Sequence, residues 1–249
     1  MPVSISGVKL NLWFFPSSVV GATVSLFGAY EMTDIDACLR SLAGPEQVVL
    51  LDIGANCGLY SLLAACSRPK VRVVAIEPDP DARRLLRRNV DENAERIRAN
   101  GSGVEIVAVA LGAAAGEARF LRSWDQAFGS FFGVAGRLKD TIVVPTRRGD
   151  ELLAERGVDE IDCCKIDVEG GELVVLQGLE QTFRCGKIRF LQIELNRTLS
   201  RVAGYSCADL VGLLENYGYA MTPDSRHKYE NQPRECDNFH FIRREASPT

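Results

Sequence analysis

A glycine-containing loop flanked by acidic residues is the part of the chain whose residue types most clearly suggest chemistry. The loop reads DIGANCG over residues 52–58 and ends an apolar run at 48–53. Glycines let the backbone turn tightly and approach a ligand, and the first amides of a following helix are free to donate hydrogen bonds. The pattern predicts a ligand-binding turn that uses Gly54, Asn56 and Gly58.

Two carboxylates beside this loop indicate the kind of ligand. Asp52 stands just before the turn, and Glu77 ends the next predicted strand, 25 positions later. A pyrophosphate would favour an uncharged strand end, and Asn56 replaces the second glycine of the dinucleotide pattern G-x-G-x-x-G. Asp52 suits a cationic ligand such as S-adenosylmethionine, whereas Glu77 suits ribose hydroxyls and fits NAD equally well. Either acid alone could also be a helix cap or a surface charge.

The rest of the sequence predicts a scaffold that brings such strand ends together. Short apolar runs alternate with amphipathic segments, which predicts an α/β fold with a doubly wound, mostly parallel sheet. Ligands of such sheets bind beyond the carboxyl ends of the strands, so the main chain near Ala110 joins the predicted site. The predicted strands are 48–53, 71–76, 104–111, 142–145, 161–168, 188–195 and 238–243. The predicted helices are 59–67, 79–93, 150–156, 172–183 and 207–217.

Composition excludes several classes of function. The chain has 249 residues, 46% of them hydrophobic, and a formal net charge of −4, so nothing points to nucleic acid or to an anionic membrane. The uncharged run 11–30 is diluted by polar residues, glycine and proline, which favours core strands of a soluble domain over a membrane span. The eight cysteines form no CxxC pair and no basic leader precedes them, which indicates a reduced, cytoplasmic protein.

Beyond these features, the sequence resembles the FkbM family of methyltransferases. The resemblance covers residues 28–219, and its specific part is KIDVEGGELVVLQG at 165–178, because the glycine loop is shared by most class I methyltransferases. The chain has glycine at positions 149 and 171 and cysteine at 57 where the family usually differs, but no charged group is lost. The other matching segments are GAYE at 28–31, the loop at 51–65, and the segments 73–90, 107–112 and 190–196.

The resemblance implies a class I methyltransferase (Rossmann-like) fold in which the last strand is antiparallel. It also implies methyl transfer from S-adenosylmethionine to an oxygen, commonly a hydroxyl of a sugar or natural product, so the expected partner is a small hydroxylated acceptor. Residues 46–249 would form the methyltransferase domain, preceded by strands and a helix at 1–45. Glu31 of GAYE and Ser130, which matches a family serine, are further expected cofactor contacts.

The acids that follow later strands are candidates for catalysis, because an acceptor hydroxyl must lose its proton during methyl transfer. Asp167, Glu169 and Glu194 are the candidate bases, and Asp167 is also a candidate cofactor contact. Lys165 alternates onto the side of Asp167, where it would pair with that acid or steer an anionic acceptor. Asp167, Glu194 and Asn196 together could instead bind a divalent ion such as magnesium.

Two other functions remain compatible with the sequence. An NAD-linked oxidoreductase or epimerase would use the same loop, although the missing glycine pattern and Asp52 count against it. A non-catalytic cofactor-binding protein of the same fold is the second alternative, and the acids retained at the strand ends count against it.

Overall fold

The structure is a computed structural model that describes residues 2–5, 7–15, 21, 23–24, 31–123, 138–231 and 234–244. The strands in these ranges are β1 Pro2–Ile5, β2 Val8–Asn11, β3 Val48–Ile53, β4 Val71–Ile76, β5 Gly103–Val107, β6 Ala110–Leu111, β7 Gly116–Ser123, β8 Leu138–Arg147, β9 Ile161–Ile166, β10 Ile188–Asn196, β11 Tyr219–Met221 and β12 Cys236–Arg243. The helices are α1 Met32–Ser41, α2 Leu59–Ser67, α3 Pro80–Glu92, α4 Ala94–Ala99, α5 Gly149–Glu155, α6 Glu172–Gly178, α7 Glu180–Arg184, α8 Arg197–Val202, α9 Cys207–Asn216 and α10 Pro223–Asn231.

The central sheet has seven strands in the order β11-β12-β10-β9-β3-β4-β5. β3 pairs in parallel with β4 and β9, β4 with β5, and β9 with β10, whereas β12 lies antiparallel between β10 and β11. The predicted doubly wound sheet with an antiparallel last strand is therefore confirmed. The strand order reverses between β3 and β9, and ligands of open α/β sheets bind at the carboxyl ends of the strands at such a point.

A polar row crosses one face of this sheet, one position before the last residue of β3 and of β9. The registers place Asp52 of β3 beside Lys165 of β9, Lys165 beside Gln192 of β10, and Gln192 beside His240 of β12. Asp52, Lys165 and Gln192 are all buried under α1 and α2. Because buried polar groups must find partners inside the protein, this row forms a network with those two helices.

Apolar side chains fill the two faces of the sheet in separate clusters. The alternation along β3 sends Leu51 and Ile53 to the face covered by α6, α7 and α9, and Leu50 to the face covered by α1 and α2. The continuous apolar pattern of β3 follows from this burial on both sides, as in other parallel sheets.

Two buried asparagines attach the beginning of the chain to this core. Asn89 accepts a hydrogen bond from the amide of Trp13 (2.8 Å) and donates to its carbonyl (2.9 Å), and Asn93 does the same for Asn11 (3.0 and 2.7 Å). Each side-chain amide therefore pairs with the main chain as a neighbouring strand would. The strands expected over the whole run 11–30 are wrong in part, because Thr23 and Val24 are helical.

Three predicted elements have different limits in the structure. The run predicted as one strand at 104–111 is divided, because β5 ends at Val107 and β6 leaves to pair with β8 in a small sheet of order β6-β8-β7. The strand predicted at 142–145 is the ten-residue β8. The helix predicted at 172–183 divides at Leu179, next to Gly178, where a Cβ atom would lie 2.3 Å from the carbonyl oxygen of Gly112. Apolar periodicity does not register these breaks, because the hydrophobic pattern continues through them.

Across the described ranges, no helix combines the length and the hydropathy that crossing a membrane requires.

Candidate functional site

The predicted glycine loop connects β3 to α2 in a conformation that requires its glycines. Gly54 and Gly58 have φ values of +79° and +86°, and Asn56 also adopts positive φ, at +49°. A Cβ atom on Gly54 would lie 1.8 Å from the carbonyl oxygen of Asp167, and one on Gly58 would lie 2.2 Å from Leu86. The loop therefore packs against the end of β9 at Gly54 and against α3 at Gly58, and these two contacts exclude side chains at the glycines.

Glu77 fixes this loop from the end of β4. One carboxylate oxygen accepts from the amide of Asn56 and the other from the amide of Asp79, both at 2.8 Å. Burial raises the pKa of Glu77 to about 7, against the lowering effect of those two hydrogen bonds. Since a carboxylate oxygen has two lone pairs, each can still accept a ligand hydroxyl.

Asp52 lies at the floor of the site beneath the loop. One carboxylate oxygen accepts a 2.6 Å hydrogen bond from Ser61 of α2, while Oδ1 is buried without a partner among the described residues. Burial raises the pKa of Asp52, although Lys165 on the adjacent strand works in the opposite direction. A buried acceptor with spare capacity can receive a donor from a bound ligand.

Lys165 supplies the positive charge around which several acids gather. Its ammonium is buried, 2.9 Å from Asp167 and 5.0 Å from the centre of the Tyr60 ring. Burial alone would lower the pKa of Lys165, but Asp167, Asp52 and Glu31 outweigh it and raise that pKa above its ordinary value. Of the two roles expected for Lys165, the ion pair with Asp167 is present.

Glu31 joins the site through a short hydrogen-bond relay. Tyr60 donates to the Glu31 carboxylate at 2.8 Å, and the buried Gln192 donates to the Tyr60 hydroxyl at 2.7 Å. Burial raises the pKa of Glu31, and the negative charge of Asp167 adds to that effect. Glu31, the N-cap residue of α1, is therefore connected through Tyr60 to Gln192 in the polar row of the sheet.

Three candidate bases converge at the ends of β9 and β10. Asp167, Glu169 and Glu194 each have a carboxylate oxygen within 4.8 Å of the other two, and Cys236 lies 3.0 Å from Glu194. Burial, reinforced by the neighbouring negative charges, raises the pKa values of Glu169 and Glu194 well above their ordinary range. Such closely spaced carboxyls can hold a proton on one member and exchange it with a ligand, or the three oxygens can hold a divalent cation.

Two other predicted site residues have different surroundings from those expected. The Asn196 side chain accepts from the amide of Leu199 and caps α8, whereas Glu169 lies together with Asp167 and Glu194. Ala110 is buried in β6 of the small sheet instead of ending a strand of the central sheet. Ser130 lies outside the described residues.

Several residues that build the site were not identified from the sequence. Tyr60 and Ser61 lie inside an apolar helix, and Gln192 lies inside an apolar strand. Glu172 and Tyr205, which bond to each other at 2.8 Å beside the acid cluster, are separated by 33 positions. A polar residue inside an apolar run was the signal that could have identified Tyr60, Ser61 and Gln192, because a buried polar group needs a hydrogen-bond partner.

Comparison with known proteins identifies related chains. The methyltransferase FkbM domain matches residues 52–221. The chain is 30% identical over 169 residues to the hexuronic acid methyltransferase AglP of Haloferax volcanii, covering 68% of this chain and 62% of AglP. It is 30% identical over 170 residues to the 2-O-methyltransferase NoeI of Sinorhizobium fredii, covering 62% of this chain and 65% of NoeI.

The fold is also present in a solved structure. Methyltransferase FkbM from Methylobacillus flagellatus superposes with a TM-score of 0.54 at 17% identity, over 86% of this chain and 46% of that chain. The chain thus spans less than two thirds of the length of each of these three relatives, and only 10% of another curated relative.

Replacing Gly54 by alanine tests the contact between the loop and β9. We expect Gly54→Ala to lower the free energy of unfolding by about 2–4 kcal/mol, from overpacking and left-handed strain together. Gly204→Ala is the matched control, because Gly204 has φ +86° but nothing lies within 4 Å of its Cβ position, so about 1 kcal/mol is expected. Urea unfolding measures both, and equal losses would contradict the close contact.

The raised pKa values of the buried acids predict how the free energy of unfolding depends on pH. Because Glu77, Glu169 and Glu194 have raised pKa values, the folded chain keeps protons that the unfolded chain releases. The free energy of unfolding should therefore fall as pH rises from about 5 to about 7, by roughly 1 kcal/mol per pH unit for each such proton. Denaturant unfolding across this range measures the slope, which the double variant Glu169→Gln, Glu194→Gln should flatten. A stability that increases with pH would show that these acids ionise freely.

Proposed function

The chain belongs to the FkbM methyltransferase family, whose domain matches more than half of it, and from this premise we propose that it methylates a hydroxyl oxygen of a small acceptor. The methyl donor is S-adenosylmethionine. The acceptor class is a sugar or another hydroxylated natural product. The names of AglP, a hexuronic acid methyltransferase, and NoeI, a 2-O-methyltransferase, support that class.

The residues around the glycine loop fit this donor. Asp52 offers a buried acceptor atom that lacks a hydrogen-bond partner within the described ranges, which suits the ammonium of the donor's methionine part. Glu77 offers two carboxylate oxygens, already oriented by main-chain amides, for two ribose hydroxyls. Gly54 and Gly58 let the loop turn tightly between the end of β9 and α3. Carboxylates at this turn are unfavourable for a pyrophosphate, and this observation carries the choice of donor.

Glu31, the main chain near Ala110, and Ser130 complete the proposed donor contacts. The Tyr60 hydroxyl orients the Glu31 carboxylate, so that contact is fixed before the ligand arrives. Asp167 faces the same space from the end of β9, where its carbonyl oxygen touches the loop at Gly54.

When bound, S-adenosylmethionine supplies a methyl carbon already activated by its positively charged sulfur. The acceptor oxygen forms a bond to this carbon while the carbon–sulfur bond breaks and leaves its electron pair on sulfur. The hydroxyl proton must then leave, and the Glu169–Glu194 carboxyl pair takes it. Burial makes that pair a stronger base than an exposed carboxylate once it is ionised.

Asp167 and Lys165 have a supporting role in this scheme. Their 2.9 Å ion pair occupies the Asp167 carboxylate, so Asp167 is less available than Glu169 or Glu194 as a base. The pair instead fixes the wall against which donor and acceptor are aligned. Alignment of the two reacting atoms contributes much of the acceleration expected for such a displacement.

The donor can be identified by calorimetry. We expect S-adenosylmethionine to bind and NAD not to bind. Asp52→Asn should weaken the donor by about 10- to 100-fold, because it replaces a charge-assisted hydrogen bond and keeps the shape of the side chain. Asp162→Asn is the control, since Asp162 lies at the other end of β9, where it accepts from the amide of Val49. Binding of NAD without binding of S-adenosylmethionine would overturn the proposal.

The base is tested with an acceptor found by screening hydroxylated sugars against methyl-labelled donor. We expect Glu169→Gln and Glu194→Gln each to lower kcat by about 10²- to 10⁴-fold, with little change in donor affinity. Asp167→Asn should spare donor binding and lower kcat less. In the unmodified protein kcat should rise with pH through the raised pKa of the pair, because the base must be ionised. Glu105→Gln, an acid on β5 paired with Arg156, is the control.

Removal of divalent ions by a chelator distinguishes a carboxyl base from a metal site in the same cluster. Dialysis against EDTA should leave kcat unchanged if the carboxyl pair acts as the base. Loss of activity that returns with magnesium would instead assign Asp167, Glu169 and Glu194 to a cation.

A further inference from the structure

Glu172 and Tyr205 form a buried contact next to the acid cluster that the proposed reaction does not use directly. Glu172 is the first residue of α6 and is 1% exposed. One of its carboxylate oxygens lies 3.2 Å from the amides of both Val168 and Gly170, and the other accepts from the Tyr205 hydroxyl at 2.8 Å. The Tyr205 hydroxyl is also 2.9 Å from the carbonyl oxygen of Gly170. Glu172 and Tyr205 together therefore bind three main-chain groups of the turn at 168–171.

This turn has a conformation that needs such support. Glu169 adopts a left-handed φ of +53°, which is unfavourable for a residue with a side chain, and Gly170 follows at +98°. Leu199 of α8 packs against the other side of the turn. A Cβ atom placed on Gly170 would lie 3.2 Å from the Cβ atom of Leu199. In this left-handed conformation a carboxylate oxygen of Glu169 lies within 4.8 Å of one of Glu194.

We propose that Glu172 and Tyr205 are positioning residues, which hold the turn at 168–171 so that the Glu169 carboxylate stays beside that of Glu194. This inference rests on the proposed function, because it assigns the pair a part in methyl transfer. Neither side chain is among the proposed donor contacts or bases; each acts through the main chain of the turn. A shift of the Glu169 carboxylate by about 1 Å is enough to separate it from both Glu194 and an acceptor hydroxyl.

The role depends on hydrogen bonds, and the charge of Glu172 is dispensable. In Glu172→Gln, the amide oxygen can accept from Val168 and Gly170 while the amide nitrogen donates to the Tyr205 oxygen. The Tyr205 hydrogen can then turn to the Gly170 carbonyl, so all partners stay satisfied. Glu172→Ala removes the acceptors and leaves both amides buried without them. The conservative variant should therefore preserve the turn, and the truncation should not.

The test compares Tyr205→Phe with Tyr219→Phe. Tyr219 is the matched control, because its hydroxyl also donates to a main-chain carbonyl, that of Ile188 at 2.8 Å, but at the opposite end of β10. We expect Tyr205→Phe and Glu172→Ala to lower kcat by about 10- to 100-fold while the KM for S-adenosylmethionine stays within twofold. Tyr219→Phe and Glu172→Gln should keep nearly full kcat. A kcat for Tyr205→Phe equal to that of Tyr219→Phe, or equal losses in the two Glu172 variants, would overturn the proposal.

Hydrogen exchange of the Val168 and Gly170 amides gives a readout that does not require activity. These amides should exchange faster in Tyr205→Phe and Glu172→Ala than in the unmodified chain, and Tyr219→Phe should leave them protected. If no acceptor is methylated by the unmodified chain, the proposed function fails, and the exchange rates alone decide whether the pair holds the turn. Unchanged exchange in both variants would overturn the positioning role even in an active enzyme.

Discussion

A single buried ammonium sets the electrostatics of the whole site. Lys165 stands between acids from three elements: Asp52 of β3, Asp167 after β9 and Glu31 before α1. Each of these carboxylates would be costly to bury alone, and Lys165 reduces that cost while it depends on them to remain charged itself. The parallel registers that bring β3 and β9 together are thus also what makes an acidic, enclosed ligand site possible.

The same arrangement divides the acids into two kinds. Asp167 is engaged by the ammonium, whereas Glu169 and Glu194 face each other with burial and negative neighbours that hold protons on them. Carboxyl groups a few ångströms apart can therefore perform different tasks, because one is held in an ion pair and the other two are buried near each other. The ion pair with Lys165 is what sets Asp167 apart.

The sequence predicted the strand ends better than the contacts between them. Asp52, Glu77 and Glu194 were identified because each ends an apolar run, and the topology of a doubly wound sheet gathers such positions at one edge. Tyr60 and Gln192 were missed, since their significance comes from register and helix packing, which relate residues 132 positions apart.

At other positions the sequence pattern did not reveal the actual surroundings of a residue. Asn196 has the residue type of a metal ligand, yet its amide is used to cap the next helix, a short-range interaction that needs no distant partner. Ala110 lies in an apolar run that conceals a change of sheet. The fold and the acids beside the glycine loop were thus accessible from pattern, whereas the acid cluster includes one left-handed residue, Glu169, that no pattern marked.

The burial of Glu77 has a further consequence for the energetics of ligand binding. With a pKa of about 7, this carboxyl is partly protonated at neutral pH. Two ribose hydroxyls would select the ionised form, so occupation of the site would expel about half a proton into the solvent near neutrality. The heat of binding would then contain the ionisation enthalpy of whichever buffer receives that proton, and donor affinity would be linked to the acidity of its surroundings through a residue far from the transferred group.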